Sequence, residues 1–258
     1  MPNRSPLFAG RTVVITGGAG GIGIATGLGF AGEGAAVAVI DSNAEAVDAA
    51  VVRLRAAGAE AIGLVVDVRD VGSVSTAMAT VVEALDGLDV LVTLAGGSLG
   101  TPPDLGSITP DDLALVLDVN VRGTFLCAQA ALAHMHAGGA VVTVSSIGAR
   151  QPSPVTGVPY AAAKAAVLGM TRKLAKEVGG RGIRVNAVAP GLFLTDRLQL
   201  RFDAMSEFER REVLDAIPLG RMPELREVVE PILFLASDQA GYITGVVLDI
   251  NGGRYMPQ

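Results

Sequence analysis

The chain predicts an α/β protein built on a doubly wound, parallel sheet of about seven strands with helices on both faces. Two observations carry that expectation. Short apolar, β-branched runs alternate with stretches of helical periodicity throughout the 258 residues, and such strand–helix alternation forces a parallel sheet. The first run, Arg11–Thr16, passes directly into a glycine-rich turn, and the second, Ala36–Ile40, ends in an acid, Asp41.

The turn reads Gly17-Gly-Ala-Gly-Gly21-Ile22-Gly23, and helical periodicity follows it through about Gly32. Backbone that must touch a diphosphate tolerates no side chains, and the helix N-terminus beyond it favours negative charge. With Thr16, the spacing is TGxxxGxG, in the strand–turn–helix context of a Rossmann-type dinucleotide site. A tight turn without a ligand would also accept these glycines. Asp41 stands where a carboxylate can accept both adenosine ribose hydroxyls and repel a 2′-phosphate. Ser42 follows it, and no Arg or Lys lies in the glycine turn, so the expected cofactor is NAD rather than NADP. Ser42 and Glu45 also fit a capping box for the next helix.

The alternation continues with a helix over Asn43–Ala57 and a strand over Ala61–Val66, which leads into Asp67-Val68. A helix over Asp70–Leu85 precedes a strand, Asp89–Leu94, that enters Ala95-Gly96-Gly97. Thr109 offers an N-cap, Pro110 the first helical position, and Asp111 and Asp112 first-turn acids. The helix they open is expected to reach about His136, with Asn120 near its middle. Ala140–Ser145 reads as a strand, Pro159–Val178 as a helix, and Ile183–Val188 as a strand running into Pro190-Gly191. The polar stretch Leu192–Asp215 breaks the pattern and is expected to form a substrate lid at the sheet's carboxyl edge. A helix over Glu224–Ala236 and a strand over Val246–Ile250 complete a single domain spanning 1–258.

The formal charge of −6 argues against nucleic-acid or anionic-membrane partners. The lone Cys127 permits no intramolecular disulfide and fits a reducing cytoplasm. The opening MPNRSPLFAGR lacks the apolar core of a signal peptide. Thr12–Phe30 carries no charge, yet its β-branched start and the lack of a basic anchor favour a buried strand and helix over a membrane span. His134 and His136 lie two apart and cannot share a helical face, so no metal is expected.

The chemistry concentrates between Ser145 and Lys164. Tyr160 and Lys164 lie four apart, on one face of a helix. An ammonium near a phenol favours the phenolate and suits the tyrosine to acid–base work. Ser146 stands at the end of the strand before it, where its hydroxyl could hold the reacting oxygen.

Together these motifs make the chain similar to the short-chain dehydrogenase/reductase family, along nearly its whole length. The matching segments are Thr16–Gly23, Asp67-Val68, Ala95-Gly96, Asn120–Gly123, Ser145-Ser146, Tyr160–Lys164, Arg184–Asn186 and Pro190–Thr195. The resemblance implies the strand order 3-2-1-4-5-6-7. It implies a catalytic tetrad of Asn120, Ser146, Tyr160 and Lys164, with Ser146 preferred to Ser145 as the second of the pair. It implies a nicotinamide cofactor held by Gly17, Gly21, Ile22, Gly23, Asp41, Asp67, Val68, Ala95, Gly96, Tyr160, Lys164, Pro190, Gly191, Phe193 and Thr195. A homotetramer or homodimer is also implied, with the long helices near Asn120 and Tyr160 in one interface. The chain departs from the family pattern at Thr93-Leu94, where two asparagines are usual, and Thr93 is expected to supply part of the missing hydrogen bonding. The Ser146–Tyr160 gap is one residue longer than usual, and an aromatic, Phe193, replaces an aliphatic residue.

The implied reaction moves a hydride between NAD(H) and a secondary alcohol or ketone. Tyr160 exchanges the proton, Lys164 lowers its pKa and binds the nicotinamide ribose, Ser146 polarises the substrate oxygen, and Asn120 holds a water in a kinked helix. The expected substrate pocket comprises Gly97–Leu99, Gln151–Val155, Tyr160 and Phe193–Leu200; Ser98, Gln151, Phe193 and Arg197 are its candidate contacts. Two alternatives stay open: a 3-oxoacyl-thioester reductase using NADPH, and an NAD(H)-sensing regulatory protein.

Overall fold

The computed structural model describes residues 5–152, 156–193, 199 and 202–257. A seven-stranded sheet runs in the order β3-β2-β1-β4-β5-β6-β7, and every adjacent pair is parallel. The strands are β1 (Thr12–Thr16), β2 (Ala36–Asp41), β3 (Ala61–Val65), β4 (Val90–Thr93), β5 (Ala140–Val144), β6 (Arg184–Pro190) and β7 (Val247–Ile250). The order reverses between β1 and β4, and ligands of open α/β sheets sit beyond the carboxyl ends of strands at such a switch point.

Central strands buried on both faces are near-continuously apolar, and alternate residues feed opposite cores. Val13 and Ile15 join one core with Phe8, Phe30, Leu54 and Ile232. Val14 joins the other with Met78, Leu91, Cys127 and Val185. The first core is covered by α1 (Gly21–Gly32), α2 (Ala44–Ala56) and α8 (Arg226–Ala236). The second is covered by α3 (Val71–Leu85), α5 (Gly123–Leu132) and α6 (Val158–Val178). The Thr12–Phe30 run is therefore a buried strand, its turn and a packed helix. Continuous helical backbone from Pro110 to Leu132 is long and apolar enough to cross a membrane by length and composition; here it packs against α3 and α6.

Two local expectations are corrected. The N-cap of α2 is Asn43, whose side chain accepts from the Ala46 amide at 3.0 Å; Ser42 lies one residue too early because α2 starts at Ala44. The helix opened by the Thr109–Asp112 capping box does not run smoothly to His136. It consists of α4 (Pro110–Leu117), a π-helical turn at Asp118–Arg122, and α5, which ends at Leu132. The kink expected at Asn120 is this widened turn, and the Asn120 side chain bonds both the Gly97 backbone outside the helix and the Val116 carbonyl within it. Beyond it, α7 (Glu207–Asp215) forms part of the segment expected as a lid.

Candidate active site

The turn between β1 and α1 has no room for side chains. Gly17 adopts φ +65°, and a Cβ there would stand 2.6 Å from the Ala95 nitrogen. At Gly23 a Cβ would collide with the Gly17 carbonyl oxygen. Gly21 opens α1, and Ile22 anchors it by packing on the first core. No side chain caps that helix at Gly20, so its first amides remain available to an anion. The Asp41 carboxylate reaches over the turn and accepts from the Ala19 amide at 3.3 Å. A close backbone cradle, an uncapped helix start and an acid at its rim fit a dinucleotide.

The end of β4 closes the other side. Leu94 and Ala95 donate to the Thr16 carbonyl and hydroxyl at 2.9 and 3.3 Å. Gly96 takes φ +146°, and a Cβ there would strike the Asn120 amide oxygen. Thr93 does not replace the asparagine hydrogen bonding: its hydroxyl is buried and has no partner among the described residues. Val68 packs against Gly123, where a Cβ would lie 2.6 Å from its methyl carbon. Asp67 faces Arg69, with a shortest contact of 2.6 Å, and hydrogen bonds from that guanidinium hold its carboxyl below the usual range.

Asn120 is fully buried. Its amide oxygen accepts from the Gly97 nitrogen at 3.0 Å, and its NH2 group donates to the Gly97 and Val116 carbonyls at 2.9 Å each. Through those bonds the side chain braces the loop after β4. Ser98 lies in that loop, its carbonyl accepting from Thr101.

The two serines at the end of β5 have different tasks. Ser145 is buried and donates to the Lys164 carbonyl at 2.7 Å. The Ser146 hydroxyl accepts from the Gly148 amide at 3.1 Å and pulls the Tyr160 pKa down by hydrogen bonding. The net shift of Tyr160 is nevertheless upward, because burial penalises the phenolate. Lys164 is itself buried, donates to the Val144 carbonyl at 2.9 Å, and is pushed down to about 8. Its ammonium lies 5.8 Å from the centre of the Tyr160 ring. Burial is the largest influence on both groups, and the hydrogen bond from Ser146 acts on the phenol in the opposite direction.

Among the remaining residues, Pro190 ends β6 and the Gly191 amide donates to the Ile250 carbonyl at 2.7 Å. Phe193 is corrected as a substrate-lining side chain: it is 3% exposed and packs in the first core with Val144 and Val188. The Gln151 side-chain oxygen is buried without a partner among the described residues. Thr195, Arg197 and residues 153–155 lie outside the described residues. Sequence reasoning missed the ion pair of Arg150 with Asp249 at 3.4 Å, for which no local spacing gives a signal. A shallow cavity of about 410 Å³ between β3 and α3, lined by Leu64, Val66 and Thr76, does not include the tyrosine or the glycine turn. Convergent polar groups, not cavity volume, mark the site.

A sheet with this order, a glycine turn at its switch point and a serine–tyrosine–lysine group beside it define a dinucleotide-binding oxidoreductase architecture. Residues 17–254 match the family model described as enoyl-(acyl carrier protein) reductase. The chain is 38% identical over 250 residues to the (2S)-[(R)-hydroxy(phenyl)methyl]succinyl-CoA dehydrogenase subunit of Thauera aromatica, covering 95% of this chain and 96% of the relative. It is 39% identical over 246 residues to the 3-oxoacyl-[acyl-carrier-protein] reductase of Thermotoga maritima, covering 95% and 97%. Among solved structures, a dehydrogenase/reductase from Sinorhizobium meliloti superposes with a TM-score of 0.90 at 35% identity over 98% of both chains. An NAD+-bound xylitol dehydrogenase superposes with a TM-score of 0.87 at 28% identity, covering 95% of this chain and 99% of the other. The chain belongs to the short-chain dehydrogenase/reductase family of oxidoreductases.

Proposed function

We propose that the protein is an NAD(H)-dependent oxidoreductase that interconverts a secondary alcohol and a ketone, with Tyr160 as general acid/base. The convergence of Ser146, Tyr160, Lys164 and Asn120 beside the glycine turn carries this reading. A bound nicotinamide dinucleotide supplies the hydride acceptor or donor. Gly17, Gly21, Ile22 and Gly23 would cradle its diphosphate, Asp41 would take the adenosine ribose, and Asp67 and Val68 would flank the adenine. Ala95, Gly96, Pro190, Gly191 and the backbone of Phe193 would line the nicotinamide half, with Tyr160 and Lys164 beside its ribose; Thr195, which the family resemblance adds, lies outside the described residues. In alcohol oxidation the Tyr160 oxygen takes the hydroxyl proton as the carbonyl forms. Ser146 donates to the reacting oxygen, an electrostatic contribution strengthened in a dry site. Lys164 would favour the phenolate through its charge and hydrogen-bond the nicotinamide ribose, and Asn120 holds the loop after β4.

A 3-oxoacyl-thioester reductase using NADPH is the second reading, favoured by the similarity to the Thermotoga maritima enzyme. Asp41 opposes it, since its carboxylate repels a 2′-phosphate. We further propose a cytoplasmic homotetramer or homodimer assembled through the outer faces of α4, α5 and α6, where Leu113 and Phe125 are 42% and 44% exposed. Light scattering reads that assembly directly, and a monomer at micromolar concentration would exclude it.

Separate fluorescence titrations with NADH and NADPH test the cofactor assignment. Tighter NADH binding supports the reading and directs a screen of secondary alcohols with NAD. Tighter NADPH binding overturns it in favour of biosynthetic ketone reduction, and binding of neither removes the enzyme assignment.

A further inference from the structure

The turn that carries Ser146 is a single 3-10 turn, Ile147–Ala149, ended by Arg150. Among the described residues its backbone hydrogen bonds are short-range, with Ala149 donating to the Ser146 carbonyl at 3.0 Å and Arg150 and Gln151 to the Ile147 carbonyl at 2.9 Å each. The turn packs on α6 and β6, and the side chain of Arg150 ties it to a further, distant segment. The Arg150 Nε lies 3.4 Å from an Asp249 carboxylate oxygen, a charge contact without a hydrogen bond between those two atoms, with the two side chains 20% and 14% exposed, and the guanidinium stacks 5.7 Å from the centre of the Tyr255 ring.

Those two partners belong to the last strand and the segment that follows it, and that segment is itself braced. The Asn251 amide oxygen accepts from the Gly253 and Tyr255 amides at 3.0 and 3.2 Å. Asn251 also packs against Gly191, where a Cβ would stand 3.0 Å from its Cα. The Gly252 carbonyl accepts from the Leu219 amide at 3.2 Å, on the chain leaving the expected lid. Residues 249–255 therefore touch the serine turn, the Pro190-Gly191 turn and the base of the lid segment at once.

We propose that Arg150 is a positioning residue: by pairing with Asp249 and stacking on Tyr255 it sets the turn that aims the Ser146 hydroxyl at Tyr160, making residues 249–255 a working part of the site. This rests on the role given to Ser146 above. An ion pair largely withdrawn from water is strongly destabilised when one partner alone is removed, which makes each member of this pair a usable handle. Lys164, the charged group nearest the phenol, is left untouched by the substitutions below.

The full-length protein has three tyrosines, and subtracting the tyrosinate absorbance of Tyr160→Phe isolates the titration of Tyr160. Ser146→Ala removes the hydrogen bond that lowers its pKa and moves the midpoint up by about one pH unit. Arg150→Met and the isosteric Asp249→Asn are expected to move it in the same direction, while Arg150→Lys, which keeps a cation opposite Asp249, restores it. A midpoint that shifts in Ser146→Ala but stays fixed in both Arg150→Met and Asp249→Asn overturns the positioning role and leaves the proposed function standing. A midpoint that ignores Ser146→Ala removes the role of Ser146, and the inference falls with it.

Discussion

Ser145 and Lys164 are locked together at the end of β5: the serine hydroxyl donates to the lysine carbonyl at 2.7 Å, while the lysine ammonium donates to the Val144 carbonyl at 2.9 Å. The helix bearing Tyr160 is thereby latched to the strand bearing Ser146. Ser145→Ala should lower global stability by about 1 kcal/mol through the loss of a buried hydrogen bond while leaving the Tyr160 midpoint nearly unchanged. Ser146→Ala should do the reverse. Denaturant unfolding of both variants separates the two serines, and equal stability losses would reject the division.

Tyr160→Phe removes one hydroxyl from a half-buried ring. NADH affinity is expected to change less than twofold, because the diphosphate cradle is distant in sequence and made of backbone, while turnover falls by about 100-fold or more. Titration with NADH and steady-state rates on the same preparation check this. Undiminished turnover would remove Tyr160 as the acid/base.

Lys164 makes the fold sensitive to alkali in a defined direction. Burial lowers its pKa from 10.5 to about 8, so the unfolded chain binds more protons between those values and stability rises with pH there. The contribution is fully present above 10.5 and is lost as pH falls through about 8. Tyr160, whose folded pKa is raised above 10.0, contributes the opposite trend at the upper end of that range. Between about pH 8 and 10 the wild-type unfolding midpoint should therefore climb, and Lys164→Met should flatten the climb. A midpoint equally steep in the variant would contradict the buried-ammonium account.

Asp41→Ala is expected to weaken NADH binding by about tenfold, the worth of a hydrogen bond to a charged group, and to narrow the gap to NADPH by removing a like charge. Parallel titrations measure both effects. An unchanged NADH:NADPH ratio would detach Asp41 from the ribose.

What could be read in advance was what depends on near neighbours in the chain. The glycine turn, the Thr109 cap and the Tyr160–Lys164 pair are local spacings, and each lies where its spacing places it. The errors arise where a distant segment decides. A bend at Asn120 is expected from the sequence, but not that its amide meets the Gly97 backbone across the site. Thr93 keeps an idle hydroxyl because no acceptor faces it among the described residues. Phe193 turns into the first core, which periodicity cannot show in an irregular segment. The division between Ser145 and Ser146 depends on which hydroxyl meets the Lys164 carbonyl, a matter of register between a strand and a helix.

The π-helical turn at Asp118–Arg122 also changes how the long helix counts. One extra residue in a turn advances everything downstream by a single position, so the stripe that α4 shows to α6 is not the stripe that α5 continues toward α3. One rod thus serves two partners set at different angles around it. Removing a single residue such as Val119 would bring the two halves back into phase as an ordinary α-helix. The apolar face of α5 would then rotate off the second core by about 100°, and Asn120 would leave Gly97. A deletion that small would cost both a core contact and a site brace, which no single side-chain replacement in that turn would do together.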